Sequence, residues 1–286
     1  MISTSRNFVE SSNYFVSVII PNHNYGRFLS ETINSVIGQT FKRLEIIVID
    51  NESTDNSREV LASFGSRIKV KYQGNYGQAN ARNVGLSLSK GNVIAFLDAD
   101  DCWQPNKLRN QLELINDSTQ LIYSGAFAFD SNNGSITREI RALYRGDCRN
   151  IPLTHPGVTF VPCGESSAII TRKIVEQVGL FDESLSSASG WDYFRRCSML
   201  TRLDFTEEPQ VMYREHRGNM SKNQALVNRD IKLAYKKIKQ ESKFGIYKKR
   251  AAEYAYKKIL FTLMKSNLKR ALHNIISRGP LNSRIS

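Results

Sequence analysis

Strand-like and helix-like segments alternate through the first hundred residues, and this alternation constrains the fold more than any other feature of the sequence. Four segments are continuously apolar or alternate in polarity, as strands do, and helical spacing of apolar residues marks the three segments between them. The strands are predicted at 15–20, 44–49, 68–72 and 92–97, and the helices at 27–37, 53–64 and 78–90. This β-α-β-α-β-α-β order predicts a parallel sheet with right-handed crossovers and helices on both faces.

The remaining sequence up to residue 221 has a more varied pattern. Pro105 suits the first position of a helix that runs to Asn116. Segments 121–130 and 135–140 resemble a hairpin around a Ser-Asn-Asn-Gly turn. Further helices are predicted at 171–178 and 191–201, and two short strands flank Glu208-Pro209. Residues 141–165 show no clean period, so they are predicted to form a mobile loop that selects the acceptor.

The composition is that of a globular protein, with 41% hydrophobic residues. The longest apolar runs are far too short to cross a bilayer. The first fifteen residues are polar and lack the apolar stretch of a secretory signal. The four cysteines are scattered without a C-x-x-C pair, which argues against a zinc site and for reduced thiols. Together these features predict a cytoplasmic protein.

The net charge of +13 is concentrated near the C-terminus. From Lys222 onward the sequence has 17 basic and three acidic residues, so this segment carries the whole excess. We therefore predict a domain over 1–221 and a basic extension over 222–286. Apolar residues at helical spacing in 223–244 and 259–276 predict amphipathic helices in the extension. These helices could pack on the domain with a solvated basic face, or bind the anionic inner membrane surface. Nucleic-acid binding is disfavoured, because no recognised module accompanies the charge.

Polar residues follow three of the four predicted strands at the point where each strand ends. Open parallel sheets bind ligands in the crevice beyond the carboxyl ends of their strands. Turns after strands favour Asn, Asp and Ser in any case, so one such loop would mean little. The convergence of three at one predicted edge indicates a binding site. The three runs are Pro21-Asn-His-Asn24, Asp50-Asn-Glu-Ser-Thr-Asp55 and Asp98-Ala-Asp-Asp101.

Asp98 and Asp100 give the most specific indication of chemistry. Residues two apart in an extended segment point to the same side, so both carboxylates can reach one site. Carboxylate oxygens suit Mg²⁺ or Mn²⁺, which commonly binds substrate phosphates as well. The sequence has neither a Walker-type phosphate loop nor Gly-x-Gly-x-x-Gly after the first strand. A nucleotide diphosphate bound through a metal ion therefore fits better than ATPase or dehydrogenase chemistry.

At this point the sequence resembles glycosyltransferase family 2, whose members have the GT-A fold and are inverting and metal-dependent. The order and spacing of several blocks between 16 and 221 carry the resemblance. The blocks are VSVIIPNHN (16–24), IIVIDNESTD (46–55), GQANARNVGL (77–86), AFLDADDCWQPNKL (95–108), GLFDE (179–183), SGWDYFRRC (189–197) and YREHRGNMS (213–221). The resemblance implies a Rossmann-like, mostly parallel sheet, with a nucleotide-binding half over 15–108 and an acceptor half over 109–221.

The resemblance also implies roles for individual residues. The nucleoside would lie against residues after the first two strands, namely Pro21, Asn22, His23 and Asp50. The family's usual acid-acid-glycine-serine run is Asp50-Asn-Glu-Ser53 here, so its second acid and its glycine are replaced. Asp50, which the family uses to recognise the nucleobase, is kept.

The diphosphate and the metal ion are assigned to four further residues. Arg82 would lie near the diphosphate, where a guanidinium suits phosphate geometry, unless it is a surface arginine of a helix. Asp98 would contact the ribose or sugar and reach the metal, and Asp100 would ligate it. His216 would be a late metal or diphosphate contact, or a structural hydrogen-bonding histidine.

The family's usual catalytic base is an Asp before the tryptophan, and that position is Gly190 here. Asp192 is the nearest remaining carboxylate and the first candidate, although it could instead stabilise the first turn of a helix. Glu183 is the second candidate.

The implied activity is transfer of a sugar from a nucleotide diphosphate sugar, such as a UDP-sugar, to a glycan or lipid-linked acceptor in cell-surface polysaccharide synthesis. A catalytically impaired nucleotide-sugar-binding relative and a nucleotidyltransferase of similar fold are the alternatives. The donor sugar and the oligomeric state are not specified by the sequence.

Overall fold

The computed structural model of the protein describes residues 13–151 and 160–240. The strands in these residues are β1 (Val16–Asn22), β2 (Leu44–Asn51), β3 (Lys69–Gln73), β4 (Val93–Phe96), β5 (Cys102–Trp103), β6 (Thr119–Asp130), β7 (Ile136–Ile140), β8 (Ile169–Thr171) and β9 (Arg202–Glu215). The α-helices are α1 (Gly26–Ile37), α2 (Ser57–Ser63), α3 (Gln78–Leu88), α4 (Lys107–Leu112), α5 (Arg172–Val178), α6 (Ser189–Ser198) and α7 (Gln224–Gln240).

These strands form one sheet in the order β3-β2-β1-β4-β8-β6-β9-β5, with β7 paired to β6. The first four strands in this order are parallel, as the sequence predicts. β8 is antiparallel to both β4 and β6, whereas β9 runs parallel to β6. The sheet is therefore parallel in the N-terminal half and mixed in the second half, which confirms the predicted α/β fold class.

The apolar run of β1 is explained by burial on both faces of the sheet. Val18 and Ile20 pack in a cluster with Leu29 of α1. Ile19, between them, points to the opposite face and belongs to a second cluster with Leu86 of α3. Because side chains alternate between the faces of a strand, two covered faces require a continuously hydrophobic strand.

The second half departs from the predictions in two places. β5 and β8 were not predicted, because strands of two and three residues are too short to show a period. The two short strands predicted around Glu208-Pro209 are wrong, since β9 is one strand of 14 residues. Its pairing register with β6 shifts between Ser124 and Ala126, and this irregularity accommodates the proline.

The beginning of the basic extension is helical, as predicted. α7 buries Asp230, Ala234, Tyr235 and Ile238. The Tyr235 ring lies 5.4 Å from that of Trp191 in α6. This first helix therefore packs on the rest of the chain, whereas the helix predicted at 259–276 lies outside the described residues. In the parts of the chain that are described, the helices are too short or too polar to cross a membrane.

Candidate active site

The carboxyl ends of β1, β2 and β4 lie side by side, because these strands are parallel neighbours with β1 in the middle. Hydrogen bonds join the loops that follow β1 and β2. Asn22 donates from Nδ2 to Asp50 Oδ2 at 2.8 Å and to Ser53 Oγ at 3.1 Å. The Ser53 amide donates to the other Asp50 oxygen at 3.0 Å. Asp50 is fully buried, so it holds the two loops together.

His23 lies where three loops meet. Its Nδ1 is 2.6 Å from the carbonyl oxygen of Asn51, and a carbonyl only accepts, so Nδ1 carries the proton. Its Nε2 is then the acceptor for Asn75 Nδ2 at 3.2 Å. Pro21 is buried in β1, in register with Ile49 of β2. The residues predicted to hold the nucleoside are thus brought together at one edge of the sheet.

Arg82 is a buried residue of α3 and not a surface arginine, since only 1% of it is exposed. Its guanidinium lies between two carboxylates, at 2.7 Å from Asp98 Oδ1 and 2.7 Å from Glu165 Oε1. Withdrawal from water raises the pKa of Asp98 to about 6; Arg82 opposes the shift, while Glu165 and Asp100 add to it. Negative charge is therefore concentrated beyond the end of β4.

Asp100 and His216 form the second charged contact of the site. Asp100 Oδ2 lies 2.9 Å from His216 Nε2, and both residues are buried. The Gly218 amide donates to His216 Nδ1 at 3.0 Å, which puts the imidazole proton on Nε2, directed at Asp100. The rings of Phe28 and Tyr25, at 5.0 and 5.7 Å, fix the plane of the imidazole.

This pair fits a divalent cation of the Mg²⁺ or Mn²⁺ type. Two ligands about 2.1 Å from an ion at right angles are about 3 Å apart, close to the separation of the two side chains. Ligation by Nε2 requires the imidazole proton to be on Nδ1 instead, which would break the hydrogen bond from the Gly218 amide. The part of the chain that is described contains no cluster of three His, Cys, Asp or Glu side chains suited to a metal. Asp98, the other predicted ligand, contacts Arg82, so substrate phosphate and water oxygens would complete the coordination.

Arg214 and Asp101 hold the loop after β4 in place. Arg214 Nε donates to the Asp100 carbonyl oxygen at 2.7 Å, and its amide donates to Asp101 Oδ1 at 3.0 Å. Ser166 Oγ donates to the other Asp101 oxygen at 2.7 Å. Burial, Asp100 and Asp98 raise the pKa of Asp101 well above its ordinary value. Asp101 therefore links the loop to β9 and to the turn at 164–167.

The two predicted candidates for the base have other partners. Asp192 lies in the first turn of α6, where Arg195 contacts one carboxylate oxygen at 2.9 Å and Arg196 the other at 2.8 Å. Glu183 accepts hydrogen bonds from Asn80 at 3.1 Å and Asn83 at 2.8 Å, both on α3. Asp192 is thus paired with arginines of its own helix, whereas Glu183 is tied to α3.

Three residues of the site are absent from the predictions: Glu165, Ser166 and Arg214. Arg214 lies in the same sequence block as His216, and that proximity was an available signal. Glu165 and Ser166 lie in or beside the stretch without a period, where no pattern marks them. Their position becomes apparent only through the antiparallel strand β8, which follows them and pairs with β4.

An α/β sheet of this topology, with a carboxylate-rich edge after its fourth strand, has the architecture of the GT-A glycosyltransferases. The sequence model of glycosyl transferase family 2 matches residues 17–179. The chain belongs to this family, as its sequence blocks predict. It spans between 33% and 64% of the length of the curated relatives that it matches.

One of these relatives has a stated activity. It is the Escherichia coli UDP-Glc:alpha-D-GlcNAc-diphosphoundecaprenol beta-1,3-glucosyltransferase WfgD, which is 38% identical over 127 residues. The match covers 43% of this chain and 50% of that protein.

Solved structures resemble the chain in fold at low sequence identity. S. aureus TarS 1–349 in complex with UDP-GlcNAc has a TM-score of 0.62 and 16% identity, over 86% of this chain and 71% of that one. The mannosyltransferase PcManGT from Pyrobaculum calidifontis, in complex with GDP-Man and Mn²⁺, has a TM-score of 0.58 and 16% identity. That match covers 91% of this chain and 81% of PcManGT. At these identities, the comparison establishes the GT-A fold.

Proposed function

We propose that the protein is an inverting glycosyltransferase that moves a sugar from a UDP-sugar to a lipid-linked or glycan acceptor. The observation that carries this proposal is the Asp100–His216 pair, 2.9 Å apart beside Asp98 at the edge where three parallel strands end. Family membership supports sugar transfer, and the pair supports the metal dependence of that transfer.

The donor site in this proposal is built from the loops after β1, β2 and β4. Asn22, His23 and Asp50 form a preorganised wall for the nucleoside. Asp98, a third of whose side chain is exposed, would accept a hydrogen bond from a ribose or sugar hydroxyl. Arg82 orients Asp98 from within the fold and is thus a positioning residue, and its predicted place near the diphosphate stays a prediction.

Asp100 and His216 would hold a divalent cation, Mn²⁺ or Mg²⁺. Bound there, the cation would offset the charge that develops on the departing diphosphate. Arg214 and Asp101 fix the loop that carries Asp100, so the carboxylate needs little rearrangement when the donor arrives.

The acceptor is proposed from chemistry that relatives use. The E. coli relative, by its name, acts on a diphosphoundecaprenol-linked sugar. A lipid-linked acceptor would be presented at a membrane surface, which suits the strongly basic segment from Lys222 onward. Synthesis of a cell-surface polysaccharide is the corresponding process.

The proposal is tested by donor binding and turnover. Isothermal titration with UDP-glucose and UDP-GlcNAc should show binding that requires Mn²⁺ or Mg²⁺, and UDP release should stop on addition of a chelator. Asp100→Asn should reduce UDP release by about a hundredfold or more, because it weakens a direct cation ligand. Glu59→Gln, which removes a carboxylate from the exposed surface of α2, is the matched control and should leave turnover unchanged.

Three results would contradict the proposal. One is UDP release that neither the chelator nor Asp100→Asn reduces. Another is release of pyrophosphate in place of UDP, which would identify a nucleotidyltransferase. The third is tight donor binding without turnover on any acceptor, which would identify the impaired relative, for which Gly190 is the motivating feature.

A further inference from the structure

The space that a side chain at position 190 would need is occupied by another residue, Glu165. A Cβ placed on Gly190 would lie 2.3 Å from the carboxyl carbon and from Oε1 of Glu165, and 2.5 Å from Oε2. Such distances are far inside van der Waals contact. The carboxylate of Glu165 therefore lies at the N-terminus of α6, against the backbone position where the family resemblance puts a carboxylate-bearing side chain.

Glu165 is also held close to the donor-binding edge. Its Oε1 is 2.7 Å from Arg82, and the same guanidinium is 2.7 Å from Asp98. The next residue, Ser166, accepts a hydrogen bond from the Asp98 amide at 3.1 Å and donates to Asp101 at 2.7 Å. The turn that carries Glu165 is thus fixed to the loop of Asp98 and Asp100 by short contacts on both sides of the carboxylate.

The electrostatic environment leads to the same placement. The Arg82 guanidinium is 2.7 Å from both Asp98 and Glu165, so the two carboxylates lie on either side of one positive charge. In contrast, Asp192 contacts two arginines of its own helix, α6, and Glu183 accepts hydrogen bonds from two asparagines of α3. Among these three carboxylates, Glu165 is the one that the contacts link to Asp98.

We propose that Glu165 is the catalytic base of the transfer, in the place of an acid at position 190. This inference rests on the proposed function. The acceptor hydroxyl would give its proton to a Glu165 oxygen while its own oxygen forms the bond to the anomeric carbon. The bond from that carbon to the diphosphate breaks, and its electron pair stays on the phosphate oxygen. The proton on Glu165 then passes to water when the products leave. Arg82 positions the carboxylate.

The first test is Glu165→Gln, which keeps the size of the side chain and removes its ability to take a proton. The probes are UDP-GlcNAc or UDP-glucose with Mn²⁺, whichever the wild-type protein turns over. We expect kcat to fall by about 10²- to 10⁴-fold, while KM and the calorimetric Kd for the donor stay unchanged. Glu176→Gln, an exposed position of α5, is the control and should behave as wild type.

The second test moves the carboxylate back to α6. In the double variant Glu165→Gly with Gly190→Asp, the space vacated by Glu165 becomes available to an aspartate at 190. We expect this protein to recover most of the kcat that Glu165→Gln loses.

The outcomes separate this inference from the proposed function. If the wild-type protein does not turn over a donor, both the proposed function and the assignment of Glu165 as the base are wrong. If the wild-type protein turns over the donor and Glu165→Gln is equally active, the assignment of Glu165 as the base is wrong, while the proposed function stands. The same holds if Glu165→Gln loses donor binding and turnover in parallel, because that result indicates a binding role. A double variant that binds the donor but is no faster than Glu165→Gln would also count against the proposal.

Discussion

Glu52 has a backbone conformation that is unfavourable for residues other than glycine. Its φ is +59°, in the left-handed region that glycine adopts without steric cost. The family pattern has a glycine at this position of the loop after β2, and this chain has a glutamate. Its Oε2 accepts a hydrogen bond from the Asn75 amide at 3.3 Å, which is a weak compensation at an exposed site.

We expect Glu52→Gly to raise the free energy of unfolding by about 1 kcal/mol, since it relieves the cost of a left-handed L-residue. Urea denaturation followed by far-UV circular dichroism measures the change. Glu52→Ala is the matched control: it removes the same carboxylate but keeps a Cβ, so it should not stabilise. Equal stabilisation by both variants would show that the charge, and not the backbone, is the source of the effect.

The residue scale also shows what the sequence could predict about the site. The prediction that Asp98 and Asp100 reach one site rests on an extended segment, whereas Ala99 and Asp100 lie in a turn in which the Asp101 amide donates to the Asp98 carbonyl. The convergence of strand ends predicts that Asp50 and His23 lie at one edge of the sheet, and they do. Glu165 could not be identified in this way, because its neighbours in space, Arg82 and Asp98, are distant in sequence. The departure at Gly190 indicated a missing carboxylate, but only the folded chain shows which residue fills the space.

At the scale of elements, α3 packs unusually close to β1. A Cβ on Gly85 would lie 2.3 Å from Cγ2 of Ile19, so the glycine permits the close approach of helix and strand. This packing positions Arg82, three residues earlier on the same helix, beneath Asp98.

Gly85→Ala should therefore lower the stability by about 1 to 3 kcal/mol through overpacking, although alanine is the better helix former by about 1 kcal/mol. Ser87→Ala, on the exposed side of α3, gains the helix propensity without a clash and should not destabilise. Thermal denaturation of the two variants measures the difference. A Gly85→Ala protein as stable as Ser87→Ala would show that α3 can move away from the sheet at little cost.

Elements with a long apolar or periodic sequence pattern are predicted correctly, and the shortest strands are missed. β1, β2 and β4 each form enough buried apolar sequence to be recognised, and the helices between them have clear periods. β8 has three residues and β5 has two, so tertiary pairing and not local sequence defines them. These short antiparallel pairings bring Glu165, just before β8, and Arg214 and His216, at the end of β9, to the predicted donor edge.

At the scale of the whole molecule, the two halves share one sheet. β8 pairs with β4 on one side and with β6 on the other, so backbone hydrogen bonds continue from the N-terminal half into the second half. The site lies across this junction, since Asp98 and Asp100 come from one half and Glu165 and His216 from the other. A site of this kind needs both halves to be folded at once.

We therefore expect the described halves to unfold in a single cooperative transition, which the two tryptophans can report separately. Trp103 is buried in the core and donates to the Ser166 carbonyl at 2.8 Å, whereas Trp191 packs on Tyr235 of α7. In Trp103→Phe and in Trp191→Phe, the fluorescence of the remaining tryptophan should change at the same urea concentration as the far-UV circular dichroism of that variant. Each protein is compared with itself, because loss of the Trp103 hydrogen bond lowers the stability of that variant. A Trp191 signal that changes at lower urea than the circular dichroism would mean that α6 and α7 unfold first, and that the continuous sheet does not couple them to the N-terminal half.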